Sequence, residues 1–202
     1  MTDEVISKLP EVLRGHICTL KRASGDTTNN EYMCESGLKV INFDKIPDEY
    51  ARGKGWTGVP KSNDALYIDM NGNWFFIEFK NGKIVKDDIY RKIYDSLIML
   101  IEWRIIPDFE FVREHIDYIL VYNGDKFKKI PPSQGREQTY GYFMELAQQE
   151  EKLFNIDKFE KYLFHKTHTY TKHLFEKYFI QTKESKVHLF LWFPVVYWVR
   201  GS

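Results

Sequence analysis

The sequence predicts an α/β fold with a mixed central sheet, and three segments carry this prediction. Trp74–Lys80 is apolar on both of its alternating faces apart from Glu78 and Lys80, which is typical of a central strand. Residues 86–104 repeat apolar side chains at helical spacing, and Ile116–Tyr122 has the pattern of a second buried strand. Because parallel strands need a crossover, the helix is expected to connect these two strands.

The N-terminal part is expected to add short helices and one further strand. Residues 3–21 have a helical apolar pattern that Pro10 and Gly15 interrupt, which predicts one broken helix or two short ones. After a polar stretch, a short helix through Glu31 is expected to lead to a strand at residues 38–43.

Residues 47–61 are rich in glycine and predict a loop just before Asp64. Such a loop could lie over a substrate backbone, with Trp56 available to stack on a base. A loop tryptophan also packs commonly on its own domain. The sequence leaves both roles of Trp56 open.

A predicted hairpin brings two carboxylates together. Residues 69–73 are rich in Asp, Asn and Gly, which suit a tight turn, so residues 64–68 and Trp74–Lys80 are expected to pair as antiparallel strands. Asp64 then lies on the strand next to Glu78, and Lys80 shares the face of Glu78.

Charged side chains in so apolar a strand require partners, so a third ionic group or a metal is expected beside Glu78 and Lys80. A divalent cation is the usual way to keep two facing carboxylates ionised, and Mg²⁺ typically takes one or two carboxylates. Lys80 can then reach an attacking water or the charge that develops on a phosphate. The alternative is an ion pair between Glu78 and Lys80 at a sheet edge, with Asp64 as a turn residue. Asp69 is the rival of Asp64 for the first carboxylate.

The pattern Asp64-(x13)-Glu78-x-Lys80, with an apolar strand before the Glu, resembles the PD-(D/E)XK nuclease superfamily over roughly residues 28–123. Asn63 stands where the nominal motif has Pro. The resemblance implies a restriction-endonuclease-like αβββαβ core with a mixed central sheet and an added C-terminal helical and strand region. It also implies that Asp64 and Glu78 bind Mg²⁺ or Mn²⁺, with the Phe79 carbonyl as a possible third ligand, and that Lys80 is the catalytic lysine.

The resemblance implies two further site residues. The family often adds a Glu from its first helix, for which Glu35 is preferred over Glu31. The start of the helix after the catalytic strand lies near the site in such nucleases, so Lys92 is expected to contact phosphate or to stabilise the transition state.

The C-terminal third has no counterpart in this resemblance. A loop is expected at residues 126–136, a helix from residue 137 to 152, and one or two strands over residues 186–199. Residues 157–179 are expected to be helical in two pieces around Thr167, Thr169 and Thr171, whose β-branched side chains weaken a continuous helix. Three histidines raise a zinc interpretation, against ordinary surface or capping roles. They are His165, His168 and His173.

The expected organisation is a nuclease-like core at residues 1–125 and a C-terminal elaboration at residues 126–200 packed on it, with residues 201–202 as a cloning remnant. The 43% hydrophobic and 16% aromatic content argues against disorder. The two cysteines suit neither a disulfide framework nor a zinc site, and no membrane span or signal peptide is apparent, so a cytoplasmic location is expected.

The predicted function is a metal-dependent nuclease that hydrolyses phosphodiester bonds, with DNA favoured over RNA and a homodimer possible. Zero net charge argues against a protein that coats nucleic acid, yet residues 50–92 carry eight basic and five acidic side chains. Phage defence, a mobile element or DNA repair would suit such an enzyme. The alternative is a non-catalytic nucleic-acid-binding or immunity protein that keeps the fold.

Overall fold

The computed structural model describes residues 1–127, 150 and 153–185 of the chain. The strands are β1 (Ile17–Thr19), β2 (Gly25–Asp26), β3 (Glu31–Tyr32), β4 (Lys39–Asn42), β5 (Ala65–Ile68), β6 (Trp74–Lys80), β7 (Ile116–Tyr122) and β8 (Lys166–Thr171). The α-helices are α1 (Asp3–Ser7), α2 (Glu11–Arg14), α3 (Leu20–Ala23), α4 (Ile46–Lys54), α5 (Lys86–Glu102), α6 (Phe109–His115), α7 (Gly124–Phe127) and α8 (Lys172–Phe175). Two 3₁₀ turns, Phe43–Lys45 and Asp157–Phe159, and a π-helical turn, Glu176–Ile180, complete the set.

Six strands form one mixed sheet in the order β1-β4-β5-β6-β7-β8. Neighbours from β1 to β6 are antiparallel, whereas β6, β7 and β8 are parallel. The parallel pair β6–β7 is connected through α5 and α6, as the crossover requirement predicts. The mixed α/β architecture expected from the sequence is therefore confirmed.

The hairpin of β5 and β6 positions the charged residues. Ala65 lies opposite Ile77 and Ile68 opposite Trp74, with residues 69–73 as the turn. Gly72 has φ +80°, a left-handed conformation that glycine adopts without strain. One step beyond Ala65 in this register, Asp64 falls opposite Glu78, as the sequence predicts.

The two faces of β6 are covered by different helical segments, which makes three layers. The face that carries Glu78 meets α5, whose Lys92 reaches the Glu78 carboxylate. On the other face, Phe79 packs edge-on against Phe175, and Phe75 against Phe179, with centroid separations of 5.7 and 5.4 Å. Such burial on both sides is what a central strand requires.

Two early expectations were wrong. Glu31 lies in the short strand β3 rather than in a helix. The predicted loop at residues 47–61 begins as helix α4, because Pro47 suits a first helical turn, where its missing N–H is not needed. Gly55 ends this helix in a left-handed conformation with φ +67°.

The threonine stretch that was expected to separate two helical pieces is strand β8. The helical piece after it is present as α8 and the π-helical turn, whereas residues 157–165 before it have only the 3₁₀ turn Asp157–Phe159 as helical structure. Thr167 and Thr169 are buried in β8 against β7, and β-branched side chains favour a pleated surface over a helix. The predicted helix at residues 137–152, of which only residue 150 is described, and the predicted strands at residues 186–199 lie outside the described residues. Within residues 1–127 and 153–185, no helix has the length and apolarity needed to cross a membrane.

Candidate functional site

Four charged side chains meet at the carboxyl end of β6. Lys92 Nζ lies 2.9 Å from Asp64 Oδ1 and 2.7 Å from Glu78 Oε1. Lys80 Nζ lies 2.8 Å from the same Glu78 oxygen. The structure thus brings together four of the residues that the sequence singled out, namely Asp64, Glu78, Lys80 and Lys92.

Glu78 is the most buried member of the group, with 0% of its side chain exposed. Burial and then the negative charge of Asp64 raise its pKa to about 7, although Lys92 and Lys80 oppose this shift. Glu78 Oε2 is buried and accepts no hydrogen bond from any residue that the structure describes. A buried carboxylate oxygen without a donor is costly, so this side chain has unused capacity to bind a cation or a donor.

Lys92 occupies the position between the two carboxylates. It stands on the second turn of α5, and the crossover of that helix above β6 directs its side chain down to the sheet. Burial lowers the pKa of Lys92, but Asp64 and Glu78 outweigh that effect and hold its pKa above the ordinary value. The bridging ammonium therefore stays charged and marks a point where positive charge is favourable.

Asp64 is fixed from the side opposite Lys92. Its Oδ2 accepts a hydrogen bond of 2.6 Å from the backbone N–H of Phe79. This contact is possible because Asp64 precedes β5 by one residue and so faces the end of β6. It also places the main chain of Phe79, the residue whose carbonyl was expected as a further ligand, beside the first carboxylate.

Asp44 is a further acidic residue of the site that was not predicted from the sequence. It lies in the 3₁₀ turn after β4, next to β5, and lines the same cleft as Asp64 and Lys92. Ser62 Oγ donates to Asp44 Oδ1 at 3.2 Å. Asp44 keeps an exposed surface, yet desolvation in the recess and the charge of Asp64 raise its pKa to about 6. The sequence offers one local signal, an Asp directly after the predicted strand at residues 38–43, but the pairing of β4 with β5 that brings Asp44 to the cleft is a long-range contact.

The site lies in a cleft of about 220 Å³. One side is formed by Asp64, Lys80 and Lys92 together with Asp44, Phe79 and Asn81, whereas the buried Glu78 lies behind Lys80 and Lys92 and does not line the cleft. The other side comes from residues 23–26 and Met33, and we call residues 23–33 the hairpin wall.

Asn81, the residue after β6, fastens the hairpin wall to the sheet. Its Nδ2 donates to Asp26 Oδ2 at 2.9 Å and to Glu31 Oε2 at 2.7 Å. Asn123 Nδ2 donates to Asn81 Oδ1 at 2.8 Å, and Lys126 Nζ lies 2.9 Å from Glu31 Oε2. Glu31 is therefore a tether of the wall.

Glu35 is not brought into the group. Its side chain is 74% exposed and pairs with Lys21 at 2.6 Å. Asp69, the rival of Asp64, lies in the β5–β6 turn and pairs with Lys183 at 3.0 Å. Trp56 packs edge-on against Tyr50, which bonds Glu102 at the far end of α5 from Lys92, so Trp56 lies away from the cleft.

Two of the three histidines of the C-terminal region, His165 and His168, have separate carboxylate partners. His165 Nδ1 lies 2.9 Å from Asp117 Oδ1, and His168 Nδ1 lies 3.0 Å from Glu150 Oε2. Among the described residues no three His, Cys, Asp or Glu side chains converge closely enough to hold a metal ion by themselves.

The spacing of Asp64 and Glu78 nevertheless suits a magnesium or manganese ion. Mg²⁺ usually takes only one or two protein carboxylates and completes its shell with waters and phosphate oxygens. Asp64 and Glu78 are already spaced to share one cation, because the single ammonium of Lys92 contacts both.

Comparisons with known proteins add no relative: no family model matches the chain, and neither the curated proteins nor the solved structures gave a match.

Proposed function

We propose that this protein is a nuclease that uses Mg²⁺ or Mn²⁺ to hydrolyse phosphodiester bonds, with DNA favoured over RNA as the substrate. The observation that carries the proposal is the Lys92 ammonium, which lies within 2.9 Å of both carboxylates while Lys80 stands beside them. Two acids and an amine that meet beside a cleft are the groups that metal-assisted hydrolysis of a phosphodiester needs.

Each side chain has a distinct task in this reaction. Asp64 and Glu78 would hold the metal ion, which supplies a water of lowered pKa and a Lewis acid for the phosphate. Lys80 is placed to orient the attacking water or to stabilise charge on the phosphoryl oxygens. Lys92, when it leaves the carboxylates, has a phosphate oxygen as its natural alternative partner. The N–H of Phe79 keeps Asp64 aimed at the metal position.

The order of elements supports the same proposal. Strands β4, β5 and β6 are followed by helices α5 and α6 and strand β7, an order that agrees with the strand-strand-strand-helix-strand part of the expected αβββαβ core. Short helices precede these strands, and β8 extends the sheet. Glu78 and Lys80 lie at the end of β6, and Asp64 lies just before β5.

The test is cleavage of supercoiled plasmid and single-stranded DNA with Mg²⁺, Mn²⁺ or EDTA. Lys80→Ala is expected to lower the rate by about 100-fold or more, as loss of a transition-state donor does. Lys83→Ala is the matched control, since Lys83 is exposed just beyond β6. Cleavage that persists in EDTA or in Lys80→Ala would come from a contaminant, and no Lys80-dependent cleavage of any substrate would overturn the proposal.

A second candidate is a non-catalytic binding or immunity protein. It is favoured by the same Lys92, which already supplies a positive charge between the carboxylates, and by the lack of a three-ligand metal cluster among the described residues. In that case Lys92 is a permanent structural counter-ion. Mn²⁺ binding measured by calorimetry separates the two, because only the nuclease requires the ion to displace the ammonium.

A further inference from the structure

The reactive groups are recessed below the protein surface. The exposed fractions of the Asp64, Lys92 and Lys80 side chains are 13%, 17% and 21%, and that of Glu78 is 0%. A substrate phosphate must therefore enter the cleft to meet them.

The cleft is narrow because the hairpin wall stands across from the charged group. Its volume of about 220 Å³ lies below the roughly 300–1,000 Å³ of pockets for drug-sized ligands. Such a space accepts a phosphate and a part of its sugar. It does not accept two paired strands.

Contacts on both sides of the hairpin wall keep it in place. At its tip side, the Asn81 amide holds Asp26 and Glu31 together. At its base, Met33 N donates to Ser24 O at 3.1 Å, and Ser24 is buried.

A duplex is stiff, and distorting it enough to push one phosphate into a recess is unfavourable. In an unpaired strand each phosphate can turn inward without breaking base pairs. We propose, resting on the nuclease function above, that the substrate is single-stranded DNA or the unpaired part of a DNA strand.

Tyr32 supplies a surface for an unpaired base at the edge of this cleft. It is 48% exposed, and its ring lies against Gly25, which lines the cleft. Lys21 Nζ, which is paired with Glu35, lies 4.9 Å from the ring centroid, so an ion-paired ammonium stands beside the aromatic face. An exposed ring beside a cationic side chain is the usual means of binding a base that has lost its pairing partner.

The experiment compares one labelled oligonucleotide as a single strand, as the annealed duplex, and as a duplex with an internal unpaired loop. Single strand and loop are expected to be cut about 10-fold or more faster than the paired DNA. Equal or faster cleavage of the duplex, dependent on Lys80, overturns the single-strand proposal and leaves the nuclease proposal intact. No Lys80-dependent cleavage of any substrate overturns both.

Two variants test the structural reasons. Tyr32→Ala is expected to raise KM for the single strand by about 10-fold with kcat unchanged, whereas Tyr162→Ala, an exposed tyrosine near the Ile116 end of β7, leaves both unchanged. Glu31→Ala removes the tether to Asn81 and Lys126 and is expected to increase duplex cleavage selectively. An unchanged KM in Tyr32→Ala together with unchanged duplex cleavage in Glu31→Ala contradicts the proposal.

Discussion

The ammonium of Lys92 lies 2.7 Å from Glu78 Oε1, so a side chain of the crossover helix neutralises a carboxylate buried on the central strand. Neither group is stable in this position alone, because a buried charge without a partner costs several kcal/mol. The pair also connects helix α5 to β6 at the point where Asp64 joins them. Stability and the proposed chemistry therefore depend on the same contact.

Replacing Lys92 tests how far the stability of the protein depends on this contact. Lys92→Met is expected to lower the free energy of unfolding by about 3–5 kcal/mol near pH 8, because two carboxylates lose their shared cation. Mn²⁺ should restore part of the loss by taking the place of Nζ, so that the variant gains more from the metal than the wild type does. Chemical denaturation with and without Mn²⁺ measures both effects. Lys86→Met, at the exposed start of α5, is the control and should change little; an equally small change in Lys92→Met would contradict the expectation.

The stability of the protein should depend on pH through Glu78. Its pKa is raised from 4.5 to about 7, so the folded state binds this proton more tightly than the unfolded chain does. The resulting stabilisation is complete below about pH 4.5 and is lost as the pH rises through about 7. Relative to Glu78→Gln, the wild type is expected to lose of the order of 3 kcal/mol between these limits. Urea titrations of both proteins at several pH values give the difference, and a constant difference would show that the Glu78 pKa is ordinary.

The Asp69–Lys183 ion pair should be a major stabilising contact at the other end of the hairpin. Lys183 Nζ lies 3.0 Å from Asp69 Oδ2, and both side chains are only 10% exposed. Lys183→Met is expected to cost about 3–5 kcal/mol by leaving Asp69 buried without its cation. Lys177→Met, an exposed lysine of the same helical region, serves as the control in thermal unfolding. Equal melting temperatures for the two variants would refute this assignment.

Acid should weaken the same pair. Burial raises the pKa of Asp69, but the Lys183 and Asn73 hydrogen bonds outweigh it, so this pKa lies below the ordinary value. A lowered carboxyl pKa adds stability that is present above the unfolded value and disappears as the pH falls. Wild type and Asp69→Asn should therefore converge in stability at low pH and diverge toward neutrality. A stability difference between the two proteins that stays the same at every pH would contradict the lowered pKa of Asp69.

Tyr118→Phe is expected to raise the free energy of unfolding by about 1 kcal/mol. The Tyr118 hydroxyl is fully buried and has no hydrogen-bond partner among the described residues, so its desolvation is uncompensated. The ring itself stacks on Phe164 at 5.3 Å, a contact that phenylalanine keeps. Denaturant unfolding measures whether the variant gains or loses stability, and a loss would mean that the Tyr118 hydroxyl has a bound partner.

The parts of the site that were predicted from sequence depend on local patterns. The alternation of Trp74–Lys80 and the Asp-Asn-Gly turn place Asp64 opposite Glu78. Each of these patterns extends over only a few consecutive residues, so it can be recognised in the sequence alone. Lys92 was chosen on family resemblance as a phosphate contact, and the structure places it between the two carboxylates.

What could not be predicted depends on long-range pairing. Asp44 joins the cleft only because β4 lies beside β5, and the hairpin wall stands over it only because Asn81 bonds to Asp26 and Glu31. Glu35, chosen on family resemblance, points to Lys21 instead, since its segment is not the expected helix. The threonine stretch was predicted only to interrupt a helix, and its identity as strand β8 depends on the long-range pairing with β7.

The site residues Asp64, Glu78, Lys80 and Lys92 all come from one uninterrupted segment, a hairpin followed by the first turns of a helix. Closing such short loops requires little chain entropy, so these contacts can form before the parallel partner strands arrive. Early in folding, Lys92 would then already neutralise Asp64 and Glu78 while the rest of the sheet is added. A variant that lacks Lys92 should therefore refold more slowly and also be less stable.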